Sequence, residues 1–189
     1  QGGLVAFGGE VTGTGFTGTL DGVLGGGTPA AVEQYNGSSW TEIADVNTGG
    51  RGAGASASGT STAAIIFARA PAKTITESWN GSAWTEVSDL NTGRLLPGGA
   101  GVQTAAICMG GDTTGGGGTS TANTETNLKN EVEAWNGTSW TEVAEVATAK
   151  RKTIGAGSAV LALKMGGQPD STSTEEWTVD VANSTITVS

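Results

Sequence analysis

The 189-residue sequence has no histidine. It therefore lacks the commonest general base and the commonest metal ligand. Ser-His-Asp and Cys-His catalytic sites are excluded within the chain. So are zinc and copper sites that depend on His. Cysteine occurs once, as Cys108 in "AAICMGG". One cysteine builds no disulfide framework, and this one is expected to be a buried strand residue. Cations are scarce: nine Lys and Arg stand against 18 Asp and Glu, for a net charge of −9. Without a basic stripe, neither nucleic acid nor an anionic membrane is an expected partner. No apolar run approaches the roughly 20 residues of a membrane-spanning helix, so no membrane insertion is expected. The chain opens at Gln1 without a Met, and nothing there reads as a signal peptide. A processed chain, or a piece of a longer one, is expected.

What is present is glycine, 33 residues of it, with many Ser and Thr. Short apolar runs such as "AAIIFA" (63–68) and "AVLAL" (159–163) interrupt this polar background. A solvated low-complexity chain would lack them. The composition fits many short strands joined by small-residue turns.

Self-similarity organises the chain. "YNGSSWTEIADVNTG" at Tyr35 returns as "WNGSAWTEVSDLNTG" at Trp79 and "WNGTSWTEVAEVATA" at Trp135, with a degraded copy at Trp177. The intervals are 44, 56 and 42 residues. The long interval holds a Gly- and Thr-rich segment, 112–130, that reads as a loop insertion. Upstream of each aromatic lies an apolar segment: "LVAFGG", "AAIIFARA", "AAICMGG" and "VLALKMGG". Before the last three come the small-residue segments "RGAGASASG", "PGGAGVQT" and "IGAGSAV".

Each unit reads as four strands. A small-residue strand suits close backbone approach. A continuous apolar strand suits burial on both faces. The third and fourth are joined at Asn-Gly, a strong hairpin signal because both residues tolerate positive φ. Four antiparallel strands repeated every ~45 residues describe a propeller blade. The expected fold is all-β, a propeller of about four blades at approximately 1–47, 48–91, 92–147 and 148–189 within one domain. The first blade lacks its small-residue strand, so the count is 15 strands. Such an open edge exposes unpaired backbone groups. Further blades before Gln1, closure by the C-terminal segment, or a neighbouring chain would cover it; the last is the least favoured.

Gly-Gly after an apolar strand, then an aromatic, then a Trp five residues on, resembles the Kelch repeat. The wording "WNG-x-x-W-T" with "NT-x-R", "GAG" and a terminal "ITVS" resembles repeat arrays of virion and tail-fibre-like proteins of marine tailed bacteriophages. The resemblance implies a non-enzymatic virion-surface or extracellular protein on a tail fibre or capsid. Its implied partners are other virion proteins, further copies of itself or a host-surface glycan. A secreted or cell-surface bacterial Kelch-like binding module is the alternative, and a glycan-active enzyme the third reading. Kelch-type copper oxidases use His ligands, which this chain cannot supply. No cofactor is expected.

Glu33, Glu77, Glu133 and Glu175 each stand two residues before the first aromatic of a copy. Glu42, Glu86 and Glu142 follow the second Trp by two, and Asp45, Asp89 and Glu145 recur further on. An active site is built once, from residues that differ between units. Acids repeated in every unit are therefore read as structural, accepting bonds from backbone N–H groups or from an Arg of the adjacent blade. Paired glycosidase carboxylates are the minor reading. Tyr35, Trp79, Trp135 and Trp177, with Trp40, Trp84 and Trp140, are read as packing between blades rather than as sugar-stacking platforms. Asn36, Asn80, Asn136 and Asn183 match an N-glycosylation pattern and are read as unmodified turns.

Two groups remain as binding candidates. Arg51, Arg94 and Arg151 follow the second Trp by ten or eleven residues, at the entry to the small-residue strand. They would either form a cationic ring or bridge to the repeat acids and carbonyls. The insertion is the other, with Asp112, Thr119, Asn123 and Asn127. "TTGGGG" there lacks the Gly-Lys-Ser/Thr and following helix of a phosphate cradle.

Overall fold

The structure, a computed structural model, describes residues 5–6, 30–56, 58–70, 74–113, 127–169 and 172–178. Among them are strands and turns and no α-helix. The strands form four antiparallel sheets. The first contains β1 (Val5–Ala6), β2 (Val32–Tyr35) and β3 (Trp40–Ile43). The second contains β4 (Gly54–Ala55), β5 (Ala64–Phe67), β6 (Thr76–Trp79) and β7 (Trp84–Val87). The third contains β8 (Gly98–Val102), β9 (Ala105–Asp112), β10 (Leu128–Trp135) and β11 (Trp140–Val143). The fourth contains β12 (Ile154–Gly157), β13 (Leu161–Met165) and β14 (Thr174–Thr178). In each sheet the strands pair in chain order. The first sheet shows the three strands expected of it. The expected last strand of the fourth unit falls in 179–189, outside the described residues.

Sheets stack face to face, and each apolar strand contributes to two cores. Ala64 and Ile66 pack with Val32 and Val46 of the first unit, alongside Trp79 and Trp84. Ile65 and Phe67, on the opposite face of β5, pack with Ala106, Cys108, Trp135 and Trp140. Ile107 and Met109 then meet Ala162 and Trp177 of the fourth sheet. A strand alternates its side chains between faces, so a strand flanked by sheets on both sides must be apolar throughout. This explains why β5 reads "AIIF" without polar interruption.

Glycine sets the spacing between sheets. A Cβ on Gly99 would overlap the Ala55 carbonyl oxygen, and one on Gly155 would overlap that of Gly99. The first strands of successive sheets thus touch backbone to backbone, as their small residues predict. The connections into these strands are also chained. Leu96 N–H donates to Gly52 O, and Lys152 N–H donates to Leu96 O, each at 2.7 Å. All three residues adopt positive φ, at 67°, 55° and 53°.

The Asn-Gly hairpins differ in detail from the expectation. Strand pairing ends at Tyr35↔Trp40, Trp79↔Trp84 and Trp135↔Trp140, leaving four-residue loops. Only the glycines, Gly37, Gly81 and Gly137, have positive φ there. Each Asn keeps an ordinary φ and instead caps the turn. Asn80 Oδ1, for example, accepts from the Ser82 and Ala83 N–H groups at 3.0 and 2.9 Å. The Asn is selected for its side-chain acceptor, a known use of this residue in turns.

Cys108 is buried at 0% exposure, and burial pushes its thiol up to about 12. The thiolate is the reactive form. Native protein is therefore expected to resist iodoacetamide at mildly alkaline pH and to react fully once unfolded. Mass spectrometry of the two samples checks this; rapid native labelling would contradict the burial.

Candidate functional site

Three of the repeat glutamates, Glu77, Glu133 and Glu175, join neighbouring units. Glu77 is 0% and Glu133 1% exposed. Glu77 Oε2 accepts from Asn47 N–H at 2.7 Å and from Asn47 Nδ2 at 2.9 Å, and Oε1 accepts from Thr48 N–H at 3.0 Å. Glu133 repeats this with Asn91 N–H, Asn91 Nδ2 and Thr92 N–H, at 2.7, 2.9 and 3.1 Å. The same Asn amides also donate to Trp84 O and Trp140 O. Each carboxylate thus fastens the segment leaving one sheet to the next sheet.

Glu77, Glu133 and Glu175 also meet cations, and each cation comes from a different place in the repeat. Glu77 pairs with Arg69, Glu133 with Arg94, and Glu175 with Lys164 at 2.9 Å. Lys164 additionally donates to Thr148 O at 2.8 Å. Arg69 occupies the position that Gly111 holds near the end of β9 and Gly167 holds just after β13. Lys164 occupies the position of Ile66 and Cys108. The cation belongs to the glutamate's own unit rather than to the adjacent one, while the expected backbone N–H donors come from the preceding unit.

The candidate arginines do not form a ring. Arg94 is 0% exposed, with its guanidinium on Glu133, Thr92 O and Glu131 O. Arg151 is buried and pairs with Asp112 at 2.6 Å, tying the entry of the fourth sheet to β9. Arg51 is exposed, and its backbone bridges to Ala70. Spacing separates them: Arg51 and Arg151 follow the second Trp by eleven residues, but Arg94 by ten. Leu95, not Arg94, makes the bridge that corresponds to those of Arg51 and Arg151. In extended backbone one residue of offset turns a side chain to the other face.

The insertion is shorter than the expected 112–130. β9 runs through Asp112 and β10 begins at Leu128, with Asp112 opposite Leu128 and Gly111 opposite Lys129. An irregularity between Lys129 and Val132 absorbs the change of register. Asp112 is 3% exposed and belongs to the Arg151 pair, and Asn127 accepts from Thr113 N–H at 3.1 Å. Thr119 and Asn123 lie outside the described residues.

Indole N–H groups are used internally. Trp79, Trp135 and Trp177 donate to Ser61 O, Gln103 O and Ala159 O, each in the first turn of its own sheet. Trp84 and Trp140 donate to the preceding unit, at Ala44 O and Thr76 Oγ1. The paired rings lie 5.2–5.4 Å apart in three units. Trp79, Trp84, Trp135 and Trp140 are buried, while Tyr35, Trp40 and Trp177 are half-buried.

One cavity of about 230 Å³ opens among the turns that join first and second strands, between Ser58, Val102, Gly157 and Val160. None of its lining residues is ionisable, so it offers shape and apolar contact but no acid–base chemistry. Among the described residues, no group of three His, Cys, Asp or Glu is placed to hold a metal ion. The described sheet-to-sheet segments lie at the opposite end.

In fold, the chain is similar to a solved structure described as "Structure of YjhT". The TM-score is 0.62 at 13% identity, over 81% of this chain and 50% of that one. The chain thus corresponds to about half the length of that structure. The match supports the stacked-sheet architecture alone. No protein-family model matches the sequence, and no curated protein does.

Glu175 gives the clasp a pH dependence. Burial raises its pKa, but the hydrogen bond and charge of Lys164 and the Ala147 N–H outweigh that and hold it below the ordinary carboxylate value. A carboxyl depressed in the folded state stabilises above its unfolded pKa of about 4.3 and loses that contribution as pH falls through the folded value. The gap in urea midpoint between wild type and Glu175→Gln is therefore expected to be largest near neutral pH and to shrink in acid. A gap independent of pH would contradict the pairing.

Proposed function

We propose that the chain is an array of Kelch-like propeller blades and a non-enzymatic module of a virion surface, on a tail fibre or capsid. In this reading rigid blades present loops to a host-surface glycan or a neighbouring virion protein. One observation carries it: Glu77, Glu133 and Glu175, the cations that they pair with, and Trp79, Trp84, Trp135 and Trp140 are turned inward to join sheets. The insertion, the main departure from the repeat, instead joins a second strand to a third, where a rigid scaffold displays variable segments. The virion setting is supported by the resemblance of the repeat wording. Many copies on one particle would compensate for weak single contacts through avidity.

Two measurements test this. Antibodies raised against the chain should decorate tailed particles in negative-stain electron microscopy; labelling confined to particle-free supernatant would sink the virion setting. Replacing residues 114–126 by a short glycine turn should leave circular dichroism unchanged and abolish binding to host cells or to the virion partner. Full retention of binding would remove the insertion from the recognition role.

A further inference from the structure

We propose that the Asn-Gly turns are sites of a self-catalysed covalent modification, in which Asn36, Asn80 and Asn136 lose the side-chain amide to attack by the following glycine nitrogen. This does not depend on the virion reading. The turns lie beyond the last strand pairs, Tyr35↔Trp40, Trp79↔Trp84 and Trp135↔Trp140. Each Asn and the Gly after it are exposed.

The reaction is a cyclisation, written here for Asn80. Hydroxide takes the Gly81 N–H proton, and the nitrogen attacks Asn80 Cγ. An N–Cγ bond forms while negative charge develops on Oδ1. The Cγ–Nδ2 bond then breaks, and the leaving nitrogen takes a proton from water and departs as ammonia. The product is a cyclic imide. Water opens it at either carbonyl, giving aspartate or isoaspartate. Nothing is oxidised or reduced, and the only co-reactants are water and hydroxide.

The folded turns supply what this step needs. Oδ1 of Asn80 already accepts from the Ser82 N–H, the Ala83 N–H and the Ser82 hydroxyl, at 3.0, 2.9 and 3.0 Å. Asn36 repeats this with the Ser38 N–H, the Ser39 N–H and the Ser38 hydroxyl, at 2.9, 3.0 and 3.0 Å. Asn136 Oδ1 accepts from the Thr138 and Ser139 N–H groups at 2.9 and 3.0 Å. Donors fixed around a developing oxyanion lower the barrier to its formation. Among the described residues, no hydrogen bond occupies the N–H of Gly37, Gly81 or Gly137. Glycine also brings no Cβ to obstruct the approach.

Asn47 and Asn91 are wired the opposite way. The nitrogen that would attack is engaged, because Thr48 N–H and Thr92 N–H donate to Glu77 and Glu133 at 3.0 and 3.1 Å. Their side-chain amides donate to the same carboxylates, each at 2.9 Å. A stiff, β-branched Thr follows each of them. One chain therefore holds activated and protected asparagines side by side. Each conversion adds one negative charge at a hairpin tip and leaves the strand ladder intact.

The test is timed peptide mapping by mass spectrometry of the full chain, kept folded at mildly alkaline pH. Asn36, Asn80 and Asn136 should convert while Asn47 and Asn91 keep their amides. Conversion at Asn80 and Asn136 should be faster in the folded chain than in the same chain unfolded in urea. Ser82→Ala, at an exposed site, should slow Asn80 by roughly tenfold, less than a donor lost from a water-excluded site costs. Asn136, in the same molecule, should be unaffected and serves as the reference. Slower conversion in the folded chain than in urea would overturn the inference. So would equal rates at Asn47 and Asn91, or an Asn80-to-Asn136 ratio that Ser82→Ala leaves unchanged.

Discussion

Glu133→Ala should bring the protein close to unfolding, whereas Glu142→Ala should change stability by less than about 0.5 kcal/mol. The two residues face each other across β10 and β11, so position in the ladder is controlled. Glu133 is buried and Glu142 exposed. Removing the Glu133 carboxylate strands the Arg94 guanidinium, itself 0% exposed, without its counter-charge. It also orphans the Asn91 and Thr92 N–H groups and leaves the Asn91 side-chain amide with Trp140 O alone. Breaking a buried ion pair from one side costs about 3–5 kcal/mol. A domain's whole stability is about 5–15 kcal/mol. Urea unfolding followed by tryptophan fluorescence reads both variants. Glu133→Gln should fall between them, since it keeps one acceptor and loses the charge. Equal costs for Glu133→Ala and Glu142→Ala would remove the carboxylate from the contact between sheets.

Gly99→Ala is the second large effect. The new methyl would overlap the Ala55 carbonyl oxygen and approach Phe67 Cζ at 3.0 Å. The obstacle is backbone, held between β4 on one side and Gly155 on the other, so no rotamer change relieves it. Overpacking costs about 1–3 kcal/mol where side chains can yield, and more where they cannot. Gly37→Ala is the comparison. Nothing lies within 4 Å of its Cβ, and only the φ of +103° opposes the substitution. That conformational cost is about 1–2 kcal/mol. Gly99→Ala should therefore exceed Gly37→Ala by a clear margin in the same urea assay. The reverse order would mean that the first strands are not in backbone contact.

The all-β class and the succession of antiparallel strands could be read along the chain, because they repeat. Repetition separates scaffold from singular chemistry without any fold in hand. What could not be read is which cation serves which acid. Arg69 replaces a glycine, Lys164 replaces an apolar residue, and Arg94 is offset by one residue from Arg51 and Arg151. Those matches depend on register and on the side toward which each backbone turns. The apparent arginine set is an alignment of unlike residues, two of them buried in ion pairs. The Asn-Gly hairpins illustrate the same limit. Turn chemistry was legible, but the four-residue loop and the capping role of Asn depend on where strand pairing stops.

The central claim is that the buried repeat glutamates, Glu77 and Glu133, are fasteners between sheets. Amide hydrogen exchange tests it most directly. Asn47, Thr48, Asn91 and Thr92 lie outside any strand, and exposed loop amides exchange fast. If Glu77 and Glu133 hold them, all four should exchange as slowly as neighbouring strand amides. Glu133→Gln should then speed exchange at Asn91 and Thr92 while Asn47 and Thr48 stay protected. Fast exchange at all four in the wild type, or no local change in the variant, would contradict the account.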